Sequence, residues 1–76
     1  MTNTETIISG YHVEVSAWHD PIEGLRTSCF VTRGNYSASL AYLDDHGALY
    51  DAHDRMKPVN PAVIERIMDW ALDNGY

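Results

Sequence analysis

Between Tyr11 and Ala17 apolar and polar side chains alternate. Tyr11, Val13, Val15 and Ala17 point one way; His12, Glu14 and Ser16 point the other. A period of two marks a strand with one buried face. Ile7 and Ile8 extend the run upstream, with Gly10 as a bulge, and residues 1 to 5 are polar enough to fray. Asp20-Pro21 and Gly24 break regular structure. Leu25 to Arg33, rich in Thr, Cys, Phe and Val, reads as a second strand. Gly34-Asn35 is a two-residue hairpin connector, and Tyr36 to Leu43 is the third strand. Tyr36, Ala38, Leu40 and Tyr42 share one of its faces; Ser37, Ser39, Ala41 and Leu43 share the other. Being partly apolar on both, it is expected in the middle of the sheet. Asp44 to Gly47 reads as the next turn and Ala48 to Ala52 as a short fourth strand.

The period changes near the end of the chain. Ile64, Ile67, Met68, Ala71 and Leu72 recur at helical spacing, with Glu65, Arg66, Asp69 and Asp73 opposite. Asn60 is placed to cap the helix, Pro61 suits its first turn, and Gly75 suits its left-handed end. The apolar stripe needs a surface, and one face of the sheet is the large one on offer. The expected fold is therefore α+β, a small antiparallel sheet of three to four strands with one C-terminal helix packed on one face. With 76 residues the chain has room for one domain, 1–76, and a small core.

Composition narrows the function classes. Eleven acidic residues face five basic ones, a net charge of -6. Nucleic-acid binding rests on cations that neutralise phosphates, so direct contact with DNA or RNA is disfavoured, as is an anionic membrane surface. A basic partner suits the charge. Cys29 is the sole cysteine, which excludes an internal disulfide, and its apolar setting predicts a buried thiol. No run approaches the ~20 apolar residues of a membrane span. The start lacks the basic and apolar regions of a signal peptide, and the cytoplasm is the expected location. No nucleophile motif, phosphate-cradling loop or paired metal-ligand spacing is present, so neither catalysis nor a cofactor is expected. Two Trp, five Tyr and one Phe are a generous aromatic supply for so small a core. Trp18 is expected to cap the open end of the core and Trp70 to pack against the sheet, while Arg26 and Arg33 are expected to pair with acidic neighbours.

The stretch LDDHGALYDAHD, residues 43 to 54, carries four aspartates and two histidines. An EF-hand calcium loop does not fit: counted from Asp44, the sixth position is Leu49 and the twelfth Arg55. His46 and His53 with nearby aspartates define a metal-binding or sensing alternative. Asp, His and Gly also suit a plain turn. The third reading is a recognition surface. Asp44, Asp45, Asp51 and Asp54 supply charge without an intervening Lys or Arg, Tyr42 and Tyr50 lie beside them, and Glu14 joins if its strand is a neighbour. Rings would give such a surface its area and carboxylates its steering and register.

The strand runs YHVEVSA and TSCFVTR-GN-YSASLAYL, followed by NPAVIERIMDWALDNG, together with small size and acidity, resemble the small phage-encoded anti-CRISPR proteins. That resemblance implies a viral inhibitor acting in the host cytoplasm on a CRISPR effector complex, a nucleoprotein with basic channels. The function expected from the sequence is thus an acidic protein-binding inhibitor of a basic, nucleic-acid-binding partner. The metal-binding domain is the first alternative. The second is an accessory protein that assembles with itself, and a homodimer is compatible with either protein-binding reading.

Overall fold

The computed structural model describes residues 2–41 and 47–76. Four strands, β1 (Thr2–Ile8), β2 (Tyr11–Asp20), β3 (Gly24–Arg33) and β4 (Tyr36–Ala41), precede two helices, α1 (Gly47–Arg55) and α2 (Pro61–Asp73). The strands form one antiparallel meander in the order β1-β2-β3-β4. The architecture is α+β, with the helices against one face of the sheet.

The alternation in β2 does what period two demands. Val13 and Val15 point inward, and the registers place Thr4, Val15, Cys29 and Leu40 in one row and Thr6, Val13, Val31 and Ala38 in the next. Onto these rows pack Ala48 and Ala52 of α1, Met56 just after it, then Ile64, Ile67, Met68 and Ala71 of α2, and Tyr76. Burial of this apolar set is the main favourable term of the fold. Cys29 sits among them fully buried, and desolvation pushes its thiol up to about 12. It is a small apolar side chain here, far from the thiolate that nucleophilic chemistry needs.

Local signals fix α2. Asn60 accepts a hydrogen bond from the Ala62 N–H at 2.9 Å, and Pro61 follows. At the far end Gly75 takes φ 96°, and the Tyr76 N–H reaches back to the Ala71 carbonyl at 2.9 Å, the long bond of a Schellman ending. That bond also turns Tyr76 into the core. Trp70 is partly buried against it, as its place in the stripe predicts.

Several expectations are corrected. Residues 48 to 52 form a helix, not a fourth strand. Ala48, Ala52 and Met56 are spaced four apart and all buried, and Gly47–Arg55 contains no β-branched residue. The fourth strand lies at the other end of the chain. Thr2 to Glu5, expected to fray, pair with Glu14 to Ala17, and Ile7 and Ile8 belong to this separate strand. Ser9 (φ 51°) and Gly10 (φ 83°) make a two-residue turn with both angles positive, where a bulge was expected. The strand that begins at Tyr36 is an edge, not central. Leu72, counted in the apolar stripe, is 55% exposed.

Candidate protein-binding surface

The structure describes the acidic stretch only from Gly47 onward. Tyr42, Asp44, Asp45 and His46 lie outside the described residues. Asp51 and Asp54 stand on α1 beside cations. Arg55 Nε donates to Asp51 Oδ1 at 2.9 Å, and Lys57 Nζ lies 3.3 Å from Asp54 Oδ1. The hydrogen bond it donates to Asp51, with the charge of that carboxylate, holds the Arg55 guanidinium above its usual range. Both pairs follow helical spacing, three or four residues apart, and surface pairs of this kind contribute a few tenths of a kcal/mol. They leave these two aspartates with little free charge to offer. Tyr50 is exposed on the same helix. Among the described residues no group of His, Cys, Asp and Glu is arranged to hold a metal ion.

Glu14 lies elsewhere, in a setting the sequence did not reveal. Both described helices lie on the same face of the sheet. Among the described residues nothing covers the other. On that outer face the registers set Glu5, Glu14, Phe30 and Ser39 side by side across all four strands. The next row is Ile7, His12, Thr32 and Ser37. On the other side of the first lie Asn3, Ser16 and Ser28, and beyond them Trp18 opposite Arg26. Phe30 is 41% exposed and Ile7 70%. Trp18 also points here, so it does not cap the core as expected. It follows β2 past the end of β1, onto the face its odd place in the alternation assigns.

Two like charges meet in the first row. Glu5 and Glu14 are direct cross-strand partners, whose β-carbons stand roughly 5 Å apart in such pairs, and like charges so placed are destabilising. His12 Nε2 lies 3.5 Å from Glu5 Oε2 and offsets one of the two when protonated. Glu14 has no cation beside it among the described residues. Arg26, on the same face opposite Trp18, is committed to Glu23. The seryl and threonyl neighbours are short, so Phe30 and the carboxylates stand clear of a flat surround.

The β2–β3 hairpin runs on beyond the start of β1. Its turn is held by Asp20, whose Oδ1 accepts from the Ile22 and Glu23 N–H groups at 2.8 and 3.0 Å. Those bonds, Glu23 foremost, hold the Asp20 carboxyl below its usual range. A groove of about 480 Å³ lies between this hairpin and the end of the chain, lined by Glu23, Leu25, Arg26, Thr27, Gly75 and Tyr76. The two charged side chains in it are bonded to each other.

A second acidic surface lies on the opposite side of the molecule. Glu65, Asp69 and Asp73 recur every four residues on the exposed side of α2, and the last turn carries no basic residue. Like charges at this spacing repel, and carboxylates at a helix C-terminus oppose its dipole.

No family model, curated protein or solved structure matches the chain. Among the described residues no helix is long and apolar enough to cross a membrane.

Proposed function

We propose that the protein binds a cationic protein surface through the open face of its sheet, and inhibits a nucleic-acid-binding partner by occupying ground that phosphates would otherwise take. The observation that carries this reading is the row Glu5, Glu14 and Phe30, two opposed carboxylates beside a half-exposed ring on an uncovered sheet. Opposed carboxylates weaken the isolated fold, and an arginine or lysine set between them turns that repulsion into attraction. Phe30, Ile7 and Trp18 supply apolar area around the charges. The net charge of -6, with the acidic stripe on α2, adds a long-range field that draws a basic surface in. A CRISPR effector complex, with its basic channels, is one partner of this chemistry, and an acidic domain there would compete for phosphate sites.

The test is capture from a lysate at low salt with the wild type and with a Glu5→Lys, Glu14→Lys variant, followed by nucleic-acid competition on the purified partner. The reading expects a partner that is released by added salt, ignores the double variant and loses nucleic acid when the wild type is added. A retained protein indifferent to both charges, or one whose nucleic acid stays bound, sinks it. One observation favours self-assembly as a second reading: β1 is an edge strand whose outer backbone groups lack a strand partner among the described residues. Light scattering of the purified chain separates the two, since self-assembly raises the mass with nothing added.

A further inference from the structure

The chain has five basic residues for eleven acidic ones. Three of the five are accounted for: Arg26 pairs with Glu23, Arg55 with Asp51 and Lys57 with Asp54. With more than two carboxylates per cation, chance pairing would leave carboxylates alone. Yet Arg33 and Arg66 have no carboxylate partner among the described residues. Both come to one place, the Ser9-Gly10 turn between β1 and β2.

Each is held there by something other than charge. The Arg33 guanidinium lies over the Tyr11 ring, 5.1 Å from its centre, a cation–π arrangement that fixes the plane of the fork. It also lies against the bare side of Gly10, where an added β-carbon would stand 3.3 Å from its central carbon. Arg66 comes from α2, 57 residues along the chain, and its Nη1 donates to Ser9 Oγ at 3.1 Å. Ser9 holds a left-handed backbone to make the turn. A guanidinium carries five N–H donors. Arg66 commits one of them to a described side chain and Arg33 none, so most of both forks is unspent.

Tyr36 adjoins the same Arg33–Tyr11 pair. Tyr36 is the cross-strand partner of Arg33 and meets the Tyr11 ring edge-on, with centroids 5.9 Å apart. Its hydroxyl is buried and has no hydrogen-bond partner among the described residues. A buried hydroxyl without a partner carries a desolvation cost that calls for an explanation. Burial, with the nearby Tyr11, also raises its pKa, so it stays a donor at neutral pH.

We infer that the Ser9-Gly10 turn, flanked by Arg33 and Arg66, is a binding site for an oxyanion group, a carboxylate or a phosphate. Two guanidinium forks held in place match the planar edge of a carboxylate or two oxygens of a phosphate. The site lies at the opposite end of the sheet from the Asp20 turn. It does not rest on the open-face reading, and either one stands if the other falls.

The test is an NMR titration of the full chain with inorganic phosphate and, separately, with acetate, at an ionic strength held constant with sodium chloride. The side-chain Nε–H signals of the arginines and the Ser9 and Gly10 amides are followed. The inference expects saturable shifts confined to Arg33, Arg66 and the turn, and a Kd weakened roughly tenfold by Arg66→Gln or Arg33→Gln, the loss expected of one charge-assisted contact. Lys57→Gln, remote from the turn, leaves the Kd unchanged. A response to phosphate alone assigns a phosphate ester; a response to acetate as well assigns the carboxylate of an acidic side chain or chain end. Arg66 is exposed on α2, so its variant stays informative if Arg33→Gln does not fold. Shifts that never saturate, that appear equally at Arg26, Arg55 and Lys57, or that keep the wild-type Kd in Arg66→Gln overturn the inference and leave the two arginines as covers for apolar surface.

Discussion

The two faces of the sheet are made by the same strands at alternate positions, and they have opposite fates. The inner face carries Val13, Val15, Cys29, Val31 and Leu40 under two helices. The outer face carries Glu14, Phe30 and short hydroxyl side chains under nothing described. On the inner face each side chain is chosen by packing, which tolerates neither a void nor an unpaired charge. On the outer face packing decides little. A ring and two opposed carboxylates there serve no need of the fold, and Glu5 against Glu14 works against it. That mismatch between local cost and global stability is what directs attention to the outer face for function.

The comparison can be broken by unequal substitutions. Ile67→Ala, beneath the sheet and fully buried, should cost about 2–5 kcal/mol in urea unfolding, through lost burial and the cavity left behind. Phe30→Ala on the outer face should cost about 1 kcal/mol or less. Equal losses would mean that the outer face is covered in solution, and the mass in light scattering would then show by what.

The next effect reports on the inner face alone. The Cys29 pKa is raised by burial from 9.0 to about 12. The unfolded chain therefore releases this proton first, and stability present below pH 9 is lost as pH climbs toward 12. The loss approaches about 1.4 kcal/mol per pH unit within that window. Alkaline unfolding curves of wild type and Cys29→Ala should converge as pH rises, because the variant lacks this titration. Parallel curves would mean that the thiol is reached by water.

The attachment of the helix layer is sharpened by Asn60→Ala, which removes the bond to the Ala62 N–H. It should lower stability by about 1 kcal/mol in thermal unfolding and leave the outer face unchanged. The smallest effect has the opposite sign. Glu14→Gln removes the repulsion with Glu5 and should raise stability by a few tenths of a kcal/mol while weakening partner binding. A loss of stability instead would mean that Glu14 is paired, and the reading of the outer face would fail with it.

Much of the inner face was legible because it obeys a simple period. Val13 and Val15 announce a buried strand face, Ile64, Ile67 and Met68 announce the helix that covers it, and Asn60 announces where that helix starts. The helix α1 was misread because Ala48 to Ala52 is too short for its period to be decided on apolar spacing alone. The match of Ala48, Ala52 and Met56 at four-residue steps was the signal available. The outer face was missed for a related reason. Glu5 opposes Glu14 because Ser9-Gly10 is a two-residue turn, and reading Gly10 as a bulge removed the strand that brings the pair together. The acidic stretch attracted attention through its density, but density takes no account of Arg55 and Lys57, which lie on the same turns of chain as Asp51 and Asp54.

By itself the sequence determined the local elements with long, consistent periods, the sign of the overall charge and the inert burial of Cys29, since these depend on spacing and composition. The tertiary structure alone decided which strand is an edge, which carboxylates face one another and which arginines share a turn. Arg66 and Ser9 are separated by 57 residues, and no local pattern encodes their meeting. It follows from register, which hairpin turns set one pair at a time, and from the angle at which a helix settles on the sheet.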